Sequence, residues 1–253
     1  MNHVFVSILM LAHNAPHYVG IAIESLQATS GLQWELVVVD NASEVETQEL
    51  LTKLAKTGSI HQLVRLEYNS LFAEGNNIAA SRANPLATHF LLLNSDVEIR
   101  DPEWLRFLLK KHESGITSFG AAFDPTRVDG YCLLVDAQLY RERRLDEGHQ
   151  WWWGVTKFQA QLLRAGYPVT GYLNHEKYLH HFGGMSGSAF KAAKGMQVTR
   201  GEAAGWFGGK KPVIRDTVTG RKVRRPLDVG LFANRVVAKL KSRLLPQRRH
   251  DGE

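Results

Sequence analysis

Three places in the sequence set amide and carboxylate side chains directly behind an apolar run. Val4–Leu11 ends in Ala12-His13-Asn14, Glu35–Asp40 (ELVVVD) ends in Asp40-Asn41-Ala42-Ser43, and Phe90–Leu93 (FLLL) stops at Asn94-Ser95-Asp96. Asn and Asp favour turns in any protein, so each alone reads as a turn former. Together, at the ends of three buried runs, they read better as a ligand site, because open parallel sheets bind ligands at the carboxyl ends of their strands. Further along, Asp146-Glu147 pairs two carboxylates, and residues 175–187 gather His, Gly and Ser in what reads as a site loop. Trp151-Trp152-Trp153 sets three rings in succession. Core burial is the commoner fate of aromatics. Three in a row cannot all face one way, however, so at least one is expected in a cleft, where a flat apolar ring stacks on a sugar or a base.

Periodicity supplies the elements that must hold these residues. The continuous apolarity of ELVVVD suits a central strand covered on both faces. Pro16 starts a helical pattern with Val19, Ile23 and Leu26 on one side, and a second helix is expected over about 44–56. His61–Leu66 reads as a weaker third strand, Asn77–Ala83 lies on a helix, and Pro102 opens a helix with Trp104, Leu105, Leu108 and Leu109 on its apolar side. Strand and helix alternate over the first hundred residues, which predicts an α/β fold: a mainly parallel, Rossmann-like sheet flanked by helices. Later, Tyr131–Val135 reads as a strand and Trp152–Ala165 as a helix closed by Gly166. From Arg200 to Arg225 Gly, Lys and Arg dominate with little periodicity.

Composition narrows the classes. The 253 residues are 44% hydrophobic and 22% charged, ordinary for a globular protein. A single cysteine, Cys132, excludes an internal disulfide framework and fits a reducing cytosol. The apolar start has no basic n-region or small-residue cleavage site, and no apolar stretch is long enough to span a bilayer, so a cytoplasmic protein, soluble or peripheral at the inner face of a membrane, is expected. The net charge of +6 is uneven: residues 191–253 carry 16 Lys and Arg against 5 Asp and Glu, whereas residues 1–190 carry 15 against 20. In the basic stretch Phe232, Val236, Leu240 and Leu244 recur at four-residue spacing beside a stripe of Arg235, Lys239 and Arg243, the pattern of a basic amphipathic helix. An anionic membrane surface or nucleic acid is the partner this charge suggests.

The segments VSILMLAHN (6–14), WELVVVDNAS (34–43), NSLFAEGNNIAASRA (69–83) and HFLLLNSDVEIRDPEWL (89–105) resemble, in order, those of family 2 glycosyltransferases, in particular the bacterial rhamnosyltransferase-like branch. DGYCLLVDAQLYRERRLDEGHQWWW (129–153), LLRAGYPV (162–169) and HHFGGMSG (180–187) resemble the stretches that follow. The resemblance covers roughly residues 4–190. It implies a GT-A domain over 1–190, with a nucleotide-sugar-binding half to about 115 and an acceptor half over 116–190, followed by a basic helical C-terminal extension over 191–253.

The resemblance also implies a set of roles. Asn94-Ser95-Asp96 matches the family's Asp-x-Asp position with Asn in place of the first acid, so Asp96 is expected to hold a divalent cation, Mn²⁺ or Mg²⁺, that neutralises the leaving diphosphate. His180-His181 resembles a loop whose histidine approaches the diphosphate or metal, and His181 is the expected ligand. Asp40 matches the acid that accepts a hydrogen bond from a uracil or thymine base, with Ala12, His13 and Asn14 lining the same pocket. Asn77, Asn94 and Ser95 complete the nucleotide-sugar set, and Asp129, Trp152 and Trp153 are the expected acceptor contacts. The family's acidic pair, which follows the Asp-Glu segment by about eight residues, is replaced by Gly154-Val155. Asp146 and Glu147 are therefore the expected general base, with Asp129 as the alternative.

The function implied is inverting, metal-dependent transfer from a UDP- or dTDP-linked sugar to a hydroxyl of a surface polysaccharide or lipid-linked glycan. One alternative keeps the chemistry on a hydroxylated base of DNA, as in phage DNA modification, with the basic stretch on phosphates and a Trp on a rotated base. Another is a non-catalytic nucleotide-sugar or nucleic-acid binding module.

Overall fold

Apolar β-branched runs, each followed by an amphipathic stretch, fold in the order the periodicity predicts. β1 (Phe5–Ala12) leads through α1 (Pro16–Leu26) to β2 (Gln33–Asn41), then α2 (Val45–Lys56), β3 (Gln62–Leu66), α3 (Leu71–Arg82) and β4 (His89–Leu93). The second half runs β5 (Val97–Ile99), α4 (Trp104–Lys111), β6 (Ile116–Phe119), β7 (Ala121–Phe123), β8 (Thr126–Val128), β9 (Cys132–Asp136) and α5 (Ala137–Arg143). It closes with α6 (Trp151–Arg164), β10 (Val169–Leu173), β11 (Leu179–His181), α7 (Arg200–Trp206) and β12 (Val213–Asp216). The computed structural model describes residues 4–184 and 193–224.

Eight strands make one sheet in the order β12-β10-β6-β9-β4-β1-β2-β3. All run parallel except β9, which lies antiparallel between β4 and β6. Helices cover both faces, so the central strands are buried on both sides: Ile8, Leu9 and Met10 of β1 and Leu36 to Val39 of β2 are fully inaccessible. The chain steps from β1 outward to β2 and β3, then returns across β1 to β4. The order therefore reverses between β1 and β4, which is where a doubly wound sheet opens a crevice at its strand ends.

Two sequence expectations are corrected here. The boundary expected at residue 190 falls inside a compact unit that continues to Lys222. β12 pairs parallel with β10 as the sheet's last strand, and Trp206 of α7 packs on Trp153 and on His149. Four strand residues set among Gly, Lys and Arg are too few for periodicity to reveal. The segment read as a loop over 175–187 contains β11, which pairs antiparallel with β5 and so acquires a fixed register. Among the described residues no helix is long and apolar enough to cross a membrane. The amphipathic helix expected around Phe232–Leu244 lies outside the described residues.

Candidate active site

The cleft lies where β1, β2 and β4 end. Its walls are Leu11 and His13 after β1, Asn41 at the end of β2, Asn69, Leu71, Phe72 and Asn76 at the start of α3, Leu92 to Asp96 at the end of β4, and Trp151. His13, Asn94, Ser95 and Asp96 are thus brought together as expected. His13 Nδ1 meets Asn41 O at 2.9 Å and ties the two strand ends to each other. The Asn41 amide in turn donates to Asn69 Oδ1 at 2.8 Å and accepts from Ser70 N–H, fixing the entry to α3. Leu71 and Trp151 reach the cleft with φ of 62° and 45°. For side chains other than Gly such a backbone costs about 1–3 kcal/mol and persists only where its surroundings enforce it.

Asp96 and His181 converge at the cleft. β11 lies beside β5 with His181 opposite Val97, and Phe182 N–H bonds to Asp96 O at 3.0 Å, so the two side chains share one edge. His181 Nε2 stands 3.2 Å from Asp96 Oδ1, yet this buried nitrogen makes no hydrogen bond. The two groups stand at ion-pair distance, with the His181 nitrogen outside hydrogen-bond geometry.

Tyr131 stacks on the His181 ring at 4.2 Å between centroids and bonds His175 Nε2 through its hydroxyl at 2.6 Å. His175 Nδ1 meets the carbonyl of Tyr172 at 3.0 Å, so the proton sits on Nδ1 and Nε2 accepts from Tyr131. Asp129, in the β8–β9 turn, lies on the same side: its Oδ2 and the Tyr131 hydroxyl both crowd Gly120, where a Cβ would stand within 2.8 Å of either. Only glycine permits that approach, and its φ of 83° needs glycine as well. Burial raises the Asp129 pKa above the ordinary carboxylate value, against the pull of Arg127 at 3.0 Å and of His181 and His175. His175 opens the stretch read as a site loop, but its pairing with Tyr131, 44 residues away in the chain, carried no local signal.

Other expected site residues are placed differently. Ala12 is fully inaccessible, enclosed in the sheet, and offers no surface to a nucleotide. Asn14 is spent on the fold, its Oδ1 accepting from Glu44 N–H at 2.7 Å and its N–H donating to Ser43 Oγ. Asp40 is 2% exposed and is not part of the cleft wall; Ser43 N–H donates to its Oδ1, and Arg65 lies 3.8 Å from Oδ2. Asn77 holds the 145–147 segment: its amide donates to Leu145 O and Glu147 Oε1 and accepts from Tyr140 and Leu145 N–H. Asn77→Ala is expected to lower stability by about 1–3 kcal/mol with the donor KM little changed, read by urea unfolding beside initial rates.

Of the tryptophans, Trp151 lines the cleft, whereas Trp153 is 9% exposed and faces Trp206. Trp152 meets Trp153 edge-to-face, and its carbonyl accepts from Thr156. Asp146 ion-pairs with Lys157, accepts from Gly148 N–H and meets His149 at 3.2 Å. Burial pushes its pKa up, but these partners outweigh that and hold it below the ordinary value. A carboxylate held so firmly ionised is a poor proton acceptor. At the position where an acid was expected, a Cβ on Gly154 would meet His149 O at 2.7 Å, so no larger residue fits without displacing that backbone.

Residues 7–165 match the sequence pattern of glycosyl transferase family 2. A Bacillus subtilis (strain 168) protein assigned by name to teichuronic acid biosynthesis, the glycosyltransferase TuaG, is 29% identical over 130 residues, covering 51% of this chain and 48% of its own. The fold is similar to that of Staphylococcus aureus TarS residues 1–349, with TM-score 0.52 and 17% identity over 62% of this chain and 55% of that one. The same TarS fragment has been solved with UDP, and matches with TM-score 0.51 and 16% identity over the same shares of the two chains. The mannosyltransferase PcManGT from Pyrobaculum calidifontis, solved with GDP-Man and Mn²⁺, matches with TM-score 0.56 and 15% identity over 64% and 52%. The chain thus spans about half the length of the relatives it matches.

Proposed function

Because the chain belongs to glycosyl transferase family 2 and has its GT-A fold, we propose that it transfers a sugar, with inversion, from a UDP- or dTDP-linked donor to a hydroxyl of a polysaccharide or lipid-linked glycan. The observation that carries this reading is the meeting of Asp96 and His181 Nε2 at 3.2 Å in a cleft at the sheet's switch point. Asp96 and His181 would hold a divalent cation, which supplies positive charge to the departing diphosphate. The Mn²⁺ bound in the mannosyltransferase of like fold supports that part.

His13 and Asn41 then flank the base and Asn94 and Ser95 the ribose and diphosphate. Asp40, 2% exposed and outside the cleft wall, is not the group that selects a pyrimidine. UDP bound to the TarS fragment supports a uridine donor. For the acceptor, the assignment of TuaG to teichuronic acid biosynthesis supports a surface polysaccharide. A lipid-linked acceptor would bring the protein to the cytoplasmic face of a membrane, and the basic stretch 191–253 suits an anionic surface.

Asp129 is the carboxylate best suited to take the acceptor's proton. Its raised pKa makes it a stronger base than an exposed aspartate, and its Oδ2 lies over Gly120 beside the hydroxyl of Tyr131, whose ring stacks on His181. Trp151, already in the cleft wall, takes the stacking role expected of Trp152 or Trp153.

A thermal-shift screen of nucleotide sugars with and without Mn²⁺ tests the donor half. UDP- or dTDP-linked sugars at about 100 times Kd are expected to raise Tm by about 5–10 °C, and only with the metal present. Equal stabilisation by every nucleotide, or by none, overturns it. Binding without turnover of any donor would identify a non-catalytic module.

A further inference from the structure

At the end of the sheet opposite the cleft, three side chains of metal-ligating type meet. His89 opens β4 and Asp136 closes the antiparallel β9, and the register pairs the two directly. His112 follows the last turn of α4, its ring edge-to-face with His89 at 5.1 Å. One ring nitrogen of each histidine and one oxygen of Asp136 lie within 4.8 Å of one another, and no other group of three among the described residues converges this closely.

An ordinary ion pair would leave the His112 ring bonded to the carboxylate. Instead His112 Nε2 lies 3.4 Å from Asp136 Oδ2 and makes no hydrogen bond, although the side chain is only 4% exposed. A buried nitrogen without a hydrogen bond is a rare and costly feature. The far nitrogens, by contrast, are occupied. His112 Nδ1 meets Thr117 Oγ1 at 3.0 Å and His89 Nδ1 meets Thr88 Oγ1 at 2.9 Å. Thr88 donates its one hydroxyl proton to Phe5 O at 2.9 Å, so it accepts from His89 Nδ1–H, and the lone pair of that ring is on Nε2. Hydrogen bonds on the far nitrogen are what orient metal-ligating histidines. Gly115 N–H, 2.7 Å from Asp136 Oδ2, fixes the carboxylate in the same way.

We infer that His89, His112 and Asp136 form a second cation site, for a transition-metal ion of the Zn²⁺ class. Two imidazoles and a carboxylate are ordinary Zn²⁺ ligands at about 2.0–2.2 Å. Thr88 and Asp136 also line a second cavity, with Ser114 and Tyr167. The ion would tie β4, β9 and the α4–β6 connection together, a strand's length from the sugar chemistry.

Titration of chelator-stripped protein with Co²⁺, followed by its visible absorption, tests this independently of transfer activity. One equivalent is expected to bind to the wild type and to Asp96→Asn alike, to be displaced by Zn²⁺, and to raise Tm. His112→Asn and Asp136→Asn are expected to bind at least about tenfold more weakly. Thr117→Val, which keeps the strand and removes only the hydroxyl on His112, is expected to weaken binding about 10–100-fold and carries the test should His112→Asn fail to fold. Unchanged affinity in Thr117→Val and Asp136→Asn, loss in Asp96→Asn alone, or no binding by the wild type would overturn the site.

Discussion

Replacing Asp96 by Ala is expected to lower kcat/KM for sugar transfer by about 1,000-fold. A cation at a leaving diphosphate contributes several kcal/mol of transition-state stabilisation, and about 4 kcal/mol corresponds to that factor. Among the described residues Asp96 is the one carboxylate in the cleft wall, and the imidazole beside it carries no negative charge to retain the ion alone. Asp96→Ala should also abolish the Mn²⁺-dependent part of the thermal shift by nucleotide sugars. Asp96→Asn separates charge from shape: it should keep the fold, with circular dichroism unchanged, and lose nearly as much activity. A variant that retained wild-type rate and metal response would remove the basis of the proposed function.

Asp129→Asn is expected to reduce kcat by about 100- to 10,000-fold, the range for loss of a general base. A base works ionised, so activity should fall as pH drops through the Asp129 pKa, which burial places above the ordinary carboxylate value. That acid limb should be absent from the residual activity of the variant. Stability runs the other way. A carboxylate whose folded pKa is raised binds its proton more tightly in the folded chain, so its contribution is favourable below the unfolded pKa and is lost as pH rises through the folded one. At neutral pH Asp129→Asn should therefore match or exceed the wild type in Tm while being nearly inactive. Asp146→Asn provides the contrast: it breaks the pair with Lys157 and should leave the acid limb where it is. Were Asp146→Asn to remove that limb and Asp129→Asn to spare it, the base would be Asp146 after all.

The replacement of an expected acidic pair by Gly154-Val155 is absorbed by packing. Val155 fills the space over Gly130 in the β8–β9 turn, and Gly154 lies against the His149 carbonyl at the entry to α6. Lys157 of the same helix pairs with Asp146 and lies over the Trp206 ring.

Much of the architecture was legible because it depends on local pattern. The continuous apolarity of ELVVVD, the Pro at the start of α1 and the FLLL run before Asn94 each specify an element without reference to the rest of the chain. β12 and β11 were not legible, since three or four residues carry no measurable period and their strand character comes from pairing with β10 and β5. The same division applies to side chains. His13, Asn94, Ser95 and Asp96 were found because they follow strand ends, and strand ends of a parallel sheet share one edge. Asn14 and Asn77 have the same residue type and similar placement, yet their amides are consumed by Glu44 and by the 145–147 segment.

By itself, the sequence determined that the chain forms a mainly parallel α/β sheet with an amide- and carboxylate-rich edge, and that Asp96 stands on that edge. Hydrophobic period and turn chemistry act over a few residues and need no partner. The tertiary structure decided which polar groups remain available for chemistry. Asp129 next to Tyr131, the ion-paired Asp146, and the His89–His112–Asp136 cluster all depend on contacts between distant segments. Charge, burial and hydrogen-bond satisfaction are properties of what surrounds a group, and that exists only once the chain has folded.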